Sequence, residues 1–327
     1  MESKYKVDYK LLWSNEGALE HSASGGVFYL VANAFLKDYD TAKVYGCIFS
    51  NENKVIHVGI TEKSQLSKFQ GSKYVQSDMS LCFKSIYKEL NEGVQVLFSG
   101  TACQVVALKK YLHESYENLY TVDVICHGVP SPLLWDRYVE YLEKKFGGHV
   151  GDIRFRNKSR TNRLGYILSF MCNENKYIVF PDEDPYYKAF IEGKSLRPSC
   201  YKCPYTDVTM HSDISIGDSN NKKFHSSEAV SLVIINSEKG QQLLELIENK
   251  CDCYETSFET ESSENKKMVK PASKPNERAM FYEIALGKGI EYICPMVGIK
   301  IKLKNRIKNI IPTTVKDTVK KIIKRED

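Results

Sequence analysis

Hydrophobic and polar positions change period along the chain, and each change marks an element. Val27 to Phe35 is an apolar stretch following Ser24-Gly25-Gly26, which predicts a helix opening on a glycine turn. Lys43 to Phe49 reads as a short strand. Val94 to Ser99 is a compact apolar strand, followed by Gly100-Thr101-Ala102-Cys103 and then by Val105, Val106, Leu108 and Leu112 in a helical pattern. Leu119 to Ile125 repeats this order: the strand ends at Cys126-His127-Gly128, and Pro130-Ser131-Pro132 opens a helix running to about Phe146. Two consecutive strand, loop and helix units predict parallel strands.

From Asp152 to Phe180 the period shortens, and Ile153-Arg154-Phe155-Arg156, Tyr166 to Cys172 and Lys176 to Phe180 read as an antiparallel meander. A tyrosine-rich helix, Pro185 to Glu192, precedes Cys200-Tyr201-Lys202-Cys203-Pro204. Strands are predicted at Asp213 to Gly217 and Val230 to Ile235, then a helix to about Glu248. The fold class expected is α/β: a mainly parallel sheet with flanking helices and an inserted antiparallel β meander. In domain terms, residues 1–250 form the main unit with its insertion at about 152–180. The polar stretch 251–275 is expected to be a linker or loop that carries no chemistry, 276–299 a packing segment, and 300–327 a tail.

Composition narrows the class. The 327 residues are 42% hydrophobic and 27% charged, ordinary for a soluble globular protein. No segment approaches the roughly 20 apolar residues of a membrane span. Met1 to Lys10 carries charges throughout and lacks the apolar centre of a secretory signal, so a cytoplasmic location is expected. Thiols there stay reduced, and ten cysteines then point to ligation, catalysis or burial rather than disulfides. The net charge of +5 comes from Lys300 to Asp327, with ten Lys or Arg against three Asp or Glu. A basic tail is not the basic folded face that nucleic acid requires, so no nucleic-acid partner is expected.

Four cysteines stand apart. Cys200 and Cys203 form a Cys-x-x-Cys pair followed by proline, as in ferredoxin-type runs. Cys103 and Cys126 each lie where a parallel strand gives way to its helix, and such ends share one edge of a sheet. Spacing leaves three readings open: a 4Fe-4S cluster, a structural zinc, or unrelated buried thiols. Cys47, Cys82, Cys172 and Cys294 sit in apolar runs and read as core. Cys251 and Cys253 read as surface or packing residues near a helix end.

Six ordered motifs carry a resemblance: Ser24-Gly25-Gly26, Gly71-Ser72-Lys73-Tyr74-Val75-Gln76-Ser77, Gly100-Thr101-Ala102-Cys103-Gln104, Cys126-His127-Gly128-Val129-Pro130-Ser131-Pro132, Leu196-Arg197-Pro198-Ser199-Cys200-Tyr201-Lys202-Cys203 and Ser212-Asp213-Ile214-Ser215-Ile216-Gly217-Asp218. Over about Leu12 to Glu248 the chain resembles the coenzyme F420 hydrogenase/dehydrogenase beta-subunit family. The resemblance implies an oxidoreductase with FAD beside a 4Fe-4S cluster, a ferredoxin-like electron carrier or partner subunit, and an unknown small organic substrate. Relatives in bacteria without F420 are often encoded among polysaccharide-biosynthesis genes, which implies that role here and does not imply F420 itself.

Carried over, the ligands would be Cys103, Cys126, Cys200 and Cys203. Flavin contacts would come from Ser24, Gly25, Gly26, Gly71, Ser72, Lys73, Tyr74, Gln76, Ser77, Gly100, Thr101 and Gly128. Unencumbered amides at a helix start suit a pyrophosphate, and Lys73 would add a cation. Asn157, Lys158 and Asp218 are further candidates for flavin or substrate. His127 is the candidate catalytic proton donor, because an imidazole titrates near neutrality. The pattern departs from the family where Ala102 stands for proline, where Ser219 and Asn220 stand for an aromatic pair, and where relatives carry a ferredoxin-like segment before Ser24.

In the tail, Leu303, Ile307, Ile310 and Ile311, then Val315, Val319, Ile322 and Ile323, fall on one helical face with lysines opposite. Such helices suit either a peripheral contact with an anionic membrane or docking on protein. Two functions follow from the sequence: a flavin and iron–sulfur oxidoreductase, or a non-catalytic zinc- or cluster-stabilised scaffold in a membrane-associated glycan-assembly complex.

Overall fold

The computed structural model describes residues 8–14, 21–157, 167–206, 211–219 and 230–299. Tyr166, Lys158, Asn220 and the tail 300–327, all singled out above, lie outside the described residues. The expected units are present. Helix α1 (Val27–Asp38) follows the glycine turn, with Gly26 at φ +82°, and buries Val27, Leu30, Val31, Ala34 and Phe35. Strand β1 is Asp8–Ser14, β2 is Ala42–Phe49 and β3 is Val55–Ile60. Helix α2 (Cys82–Asn91) precedes β4 (Gln95–Thr101) and α3 (Ala102–Leu112).

Sharp capping explains where the next helices start. Thr101 and Gln104 form a reciprocal capping box at α3. Strand β5 (Leu119–Val124) leads to α4 (Pro132–Phe146), where Ser131 accepts from Leu134 N and proline occupies the first turn. The meander is β6 (Val150–Arg154), β7 (Leu168–Cys172) and β8 (Asn175–Val179). Helix α5 (Pro185–Ile191) is capped by Asp184, and β9 (Ile214–Asp218), β10 (Ser231–Ile235) and α6 (Glu238–Glu245) follow. Strand β11 (Cys251–Glu255), α7 (Phe258–Glu264), α8 (Arg278–Gly287) and a 3-10 helix (Ile290–Val297) complete the described chain.

Eight strands form one sheet in the order β11-β1-β10-β9-β5-β4-β2-β3, and β6, β7 and β8 form a separate antiparallel sheet. The α/β fold with flanking helices and an antiparallel meander is thus present. Its parallel part is the centre, β2, β4, β5 and β9, whose register pairs Tyr45 with Phe98, Phe98 with Thr121 and Val122 with Ile214. Antiparallel strands extend both edges. Alternation puts Val44, Leu97 and Val122 against α1 and α6, and Tyr45, Val96 and Phe98 against α2 and α3. A further apolar cluster joins the meander to α4, α5 and α8. In it Trp135 is fully buried and donates from Nε1 to Asn53 O at 2.6 Å.

One feature differs from expectation. The segment 251–275 carries β11 and α7. Ser257 caps α7 and Glu261 and Met268 are each 1% exposed, so tertiary partners absorb its polarity. Cys251 and Cys253 lie on this edge strand, directly after the 3-10 helix Glu248–Lys250, near a helix end as expected. Among the described residues no helix is long and apolar enough to cross a membrane.

Candidate functional site

Parallel pairing delivers the carboxyl ends of β4, β5 and β9 to one edge. Because β10 runs antiparallel to β9, its first residue, Ser231, opposes Asp218 on that same edge. The start of α1 is tied there: Ser24 Oγ donates to Val230 O at 3.2 Å, and Gly25 N donates to Ser231 Oγ at 2.9 Å. A cavity of about 470 Å³ opens at this edge. Its walls come from the α1 turn, the 70–77 segment, the ends of β4, β5 and β9, Arg156, and the turn holding Cys200 and Cys203.

All four singled-out cysteines line this cavity. Cys103 opens α3 and Cys126 follows β5. The Cys200 turn is stitched to the β5 loop by a bridge between Pro130 and Leu196 and by Arg197 N donating to Val129 O at 2.9 Å. Gly128 makes the approach feasible. Its φ is +98°, and a Cβ there would stand 3.1 Å from Cys200 Cβ and 2.8 Å from Leu196 Cδ1. Burial pushes the Cys126 thiol up to about 12, despite the bond from Gly128 N to its Sγ, and the charges of Cys103, Cys200 and Cys203 add to the rise. The other three thiols therefore stand near enough to act on Cys126, and a bound cation would reverse that repulsion.

Among the described residues, no three Cys, His, Asp or Glu side chains are arranged to hold a single metal ion. Zinc demands a tight tetrahedron of ligands, whereas thiolates around an iron–sulfur cluster stand further apart. The donor set, four thiols of one chemistry at one corner of a cavity, fits the cluster better than the ion.

The remaining candidates divide by what already occupies them. Gly26, Gly71, Ser72, Gln76, Ser77, Gly100, Thr101 and Gly128 line the cavity with Ser24. Gly25 does not. A Cβ at Gly25 would meet Leu12 O and Ser231 N at 2.7 Å, so this glycine serves strand packing. Lys73 lies in the wall, but its Nζ donates to the carbonyls of Lys68, Phe69, Gln70 and Gly71 at 3.0 to 3.2 Å. It closes the 3-10 helix Lys63–Phe69 instead of offering a spare cation. Tyr74 stacks on Phe190 at 4.2 Å within the aromatic cluster. Ser77 Oγ accepts from Gln104 Nε2, and Gln104 in turn completes the α3 cap.

Asn157 is outside the cavity, donating from Nδ2 to Ser169 Oγ at 2.6 Å and pinning the meander. Asp218 is inside, with its carboxylate paired to Arg156 at 2.5 Å. Arg156 escapes a reading of the sequence because a strand-end arginine looks solvated, yet its φ of +57° turns it inward and its side chain is only 9% exposed. His57 and Cys47 likewise give no sequence signal as cavity residues. They face one another across β2 and β3, and His57 Nε2 donates to Ser99 O at 3.0 Å.

His127 lines the cavity and is exposed at its mouth. Desolvation by the atoms packed around the ring, followed by the positive charge of Lys267, pulls its pKa down to about 4, against an opposing pull from Asp218. The expectation of an imidazole titrating near neutrality is therefore corrected. At neutral pH the ring is uncharged and offers one N–H and one lone pair.

Residues 93–261 match the family described as the C terminus of the coenzyme F420 hydrogenase/dehydrogenase beta subunit. Among solved structures, the chain is similar to one in the xenon-derivatised F420-reducing NiFe hydrogenase complex from Methanosarcina barkeri. The TM-score is 0.54 at 17% identity, covering 82% of this chain and 90% of that one, a likeness of fold. No curated protein matches the chain.

Proposed function

We propose the following for a chain that belongs to the coenzyme F420 hydrogenase/dehydrogenase beta-subunit family: it is an iron–sulfur flavoprotein oxidoreductase, moving electrons between a one-electron carrier and a small organic molecule. The observation that carries this is the meeting of four thiols at the corner of a cavity large enough for an organic cofactor ring. Bound there, a 4Fe-4S cluster would exchange single electrons and FAD would convert them to a two-electron hydride transfer.

The chain's own residues would do the rest. Cys103, Cys126, Cys200 and Cys203 would hold the cluster. The start of α1, with no acidic residue in its first turn, would present Val27 and Phe28 amides to a pyrophosphate. The uncharged His127 would exchange a hydrogen bond, not a charge, with whatever occupies the cavity. Phe69 and Phe190 would exclude water from the apolar wall. A partner subunit or ferredoxin-like carrier would meet the chain near Cys103, the exposed member of the four. A place in polysaccharide biosynthesis belongs to the same proposal and is carried by the family resemblance.

Anaerobic purification with iron, sulfide and flavin quantification tests this. Wild-type protein is expected to hold about four irons, as one cluster, and about one flavin per chain. Cys103→Ser or Cys200→Ser is expected to lose the iron and Cys253→Ser to retain it. Colourless protein containing zinc, or equal iron in all three variants, would favour the scaffold instead.

A further inference from the structure

The aromatic cluster beside the cavity runs from its wall to the surface. Tyr74 lines the cavity. Its ring centre stands 5.7 Å from that of Tyr187 and 5.2 Å from that of Phe155, and Phe155 stands 5.7 Å from Trp135. Trp135 leads to Tyr186 at 5.3 Å and to Tyr138 at 5.6 Å, and these two tyrosines stack at 4.6 Å. Tyr141, 6.3 Å beyond Tyr138, is partly exposed and ends the series. Two helices set this order: α4 carries Trp135, Tyr138 and Tyr141 three residues apart along one face, and α5 brings Tyr186 and Tyr187 to them.

Packing alone does not call for these residue types. Phenylalanine or leucine would fill the same space without a buried hydroxyl or indole N–H to satisfy. Trp135 Nε1 is matched to Asn53 O, Tyr186 donates to Tyr74 O at 2.8 Å, and Tyr138 donates to Asp184 Oδ2 at 2.7 Å. Asp184 is itself 2% exposed, and its other oxygen accepts from Tyr187 N at 2.7 Å. Burying a carboxylate to serve one phenol is costly. Burial raises the Asp184 pKa above the ordinary carboxylate value, while its two donors favour the ionised form. A carboxylate so placed is a ready acceptor for the proton that a phenol sheds when it loses an electron.

We propose that these rings form an electron relay that refills one-electron vacancies arising in the cavity, with the Tyr138 and Asp184 pair as its proton-coupled seat. The proposal rests on the redox reading above and adds a protective function to it. The oxidant is an organic peroxyl radical, formed where dioxygen adds to a radical of the cavity's occupant. It takes one electron from Tyr74 and becomes a peroxide anion. The vacancy moves through Tyr187 and Trp135, bridged by Phe155, to Tyr138. There the phenolic O–H bond breaks, an O–H bond forms on Asp184, and a neutral tyrosyl radical remains. Tyr138 is restored by one electron from Tyr141 and the proton from Asp184, and Tyr141 gives its own proton to water. A small thiol at the surface then gives Tyr141 a hydrogen atom and becomes a thiyl radical. The cavity's thiols and His127 are thereby spared irreversible oxidation.

Blue light supplies the probe, because photoexcited flavin is itself a one-electron oxidant. Anaerobic, flavin-loaded full-length protein with its cofactors oxidised is flashed, and the tyrosyl radical is followed by transient absorption and electron paramagnetic resonance, with and without dithiothreitol. Wild type is compared with Tyr138→Phe, Tyr141→Phe, Asp184→Asn and Tyr292→Phe, the last an exposed tyrosine outside the series. Wild type and Tyr292→Phe are expected to form the same amount of radical and to lose it to dithiothreitol. Tyr141→Phe should form the radical but shield it from dithiothreitol, and Tyr138→Phe should form no long-lived radical. Asp184→Asn should form it about 100-fold more slowly, the low end of what a positioned proton acceptor contributes. Equal radical yield and lifetime in wild type and Tyr138→Phe would overturn the proposal, as would flavin-loaded wild type that forms no radical. Wild type purified without flavin, visible in its absorption before any flash, would refute the redox reading and the relay with it.

Discussion

Replacing Gly128 by alanine probes the contact on which convergence of the cysteines depends. Gly128 has φ +98°, a conformation that costs an alanine about 1–2 kcal/mol. The new Cβ would also stand 2.8 Å from Leu196 Cδ1 and 3.1 Å from Cys200 Cβ. The leucine methyl is the end of a flexible side chain and can yield. Cys200 Cβ is one bond from the backbone and can move only with its turn, adding about 1–3 kcal/mol of crowding. Gly147→Ala is the control: its φ is +74° but nothing lies within 4 Å of the added atom, so only the conformational cost applies. Anaerobic urea unfolding should therefore place Gly128→Ala below Gly147→Ala by about 1–3 kcal/mol at similar m-values, and iron per chain should fall in the first alone. If the two variants match in stability and both keep full iron, the Cys200 turn does not depend on Gly128 and the reasoning fails.

Two further tests concern charge. Asp123 is 4% exposed, and burial raises its pKa to about 6 against hydrogen bonds from Ser215 and Ser212. The folded chain thus binds more protons than the unfolded one between the two pKa values, so stability falls as pH rises toward 6. Asp123→Asn is expected to stabilise by up to about 3 kcal/mol near pH 7 and by little near pH 4, and an equal effect at both would contradict the assignment. Lys73→Met strands four carbonyls and should cost about 1–3 kcal/mol while speeding hydrogen exchange across 68–77. Unchanged exchange together with lost flavin would show that Lys73 serves the cofactor instead.

Local chemistry made much of this protein legible in its sequence. The β4–α3 and β5–α4 units were visible because strand period, capping residues and proline position act within a few residues of one another. Parallel order then predicted that Cys103 and Cys126 share an edge. Tertiary structure decided what local signals do not encode. Strand β1 is paired only through partners over 200 residues away in sequence, β10 and β11. Lys73, which looks like a phosphate-binding cation, is consumed by four carbonyls that a turn happens to aim at it. Arg156 becomes a cavity residue through one positive φ, and the segment around Glu261 is tied to the end of β9 because the Ser219 hydroxyl, 42 residues away in sequence, satisfies a carboxylate that would otherwise stay in water. Spacing along a chain sets which groups start an element. Whether a charge is solvated, paired or left facing a cavity depends on neighbours that only folding brings near.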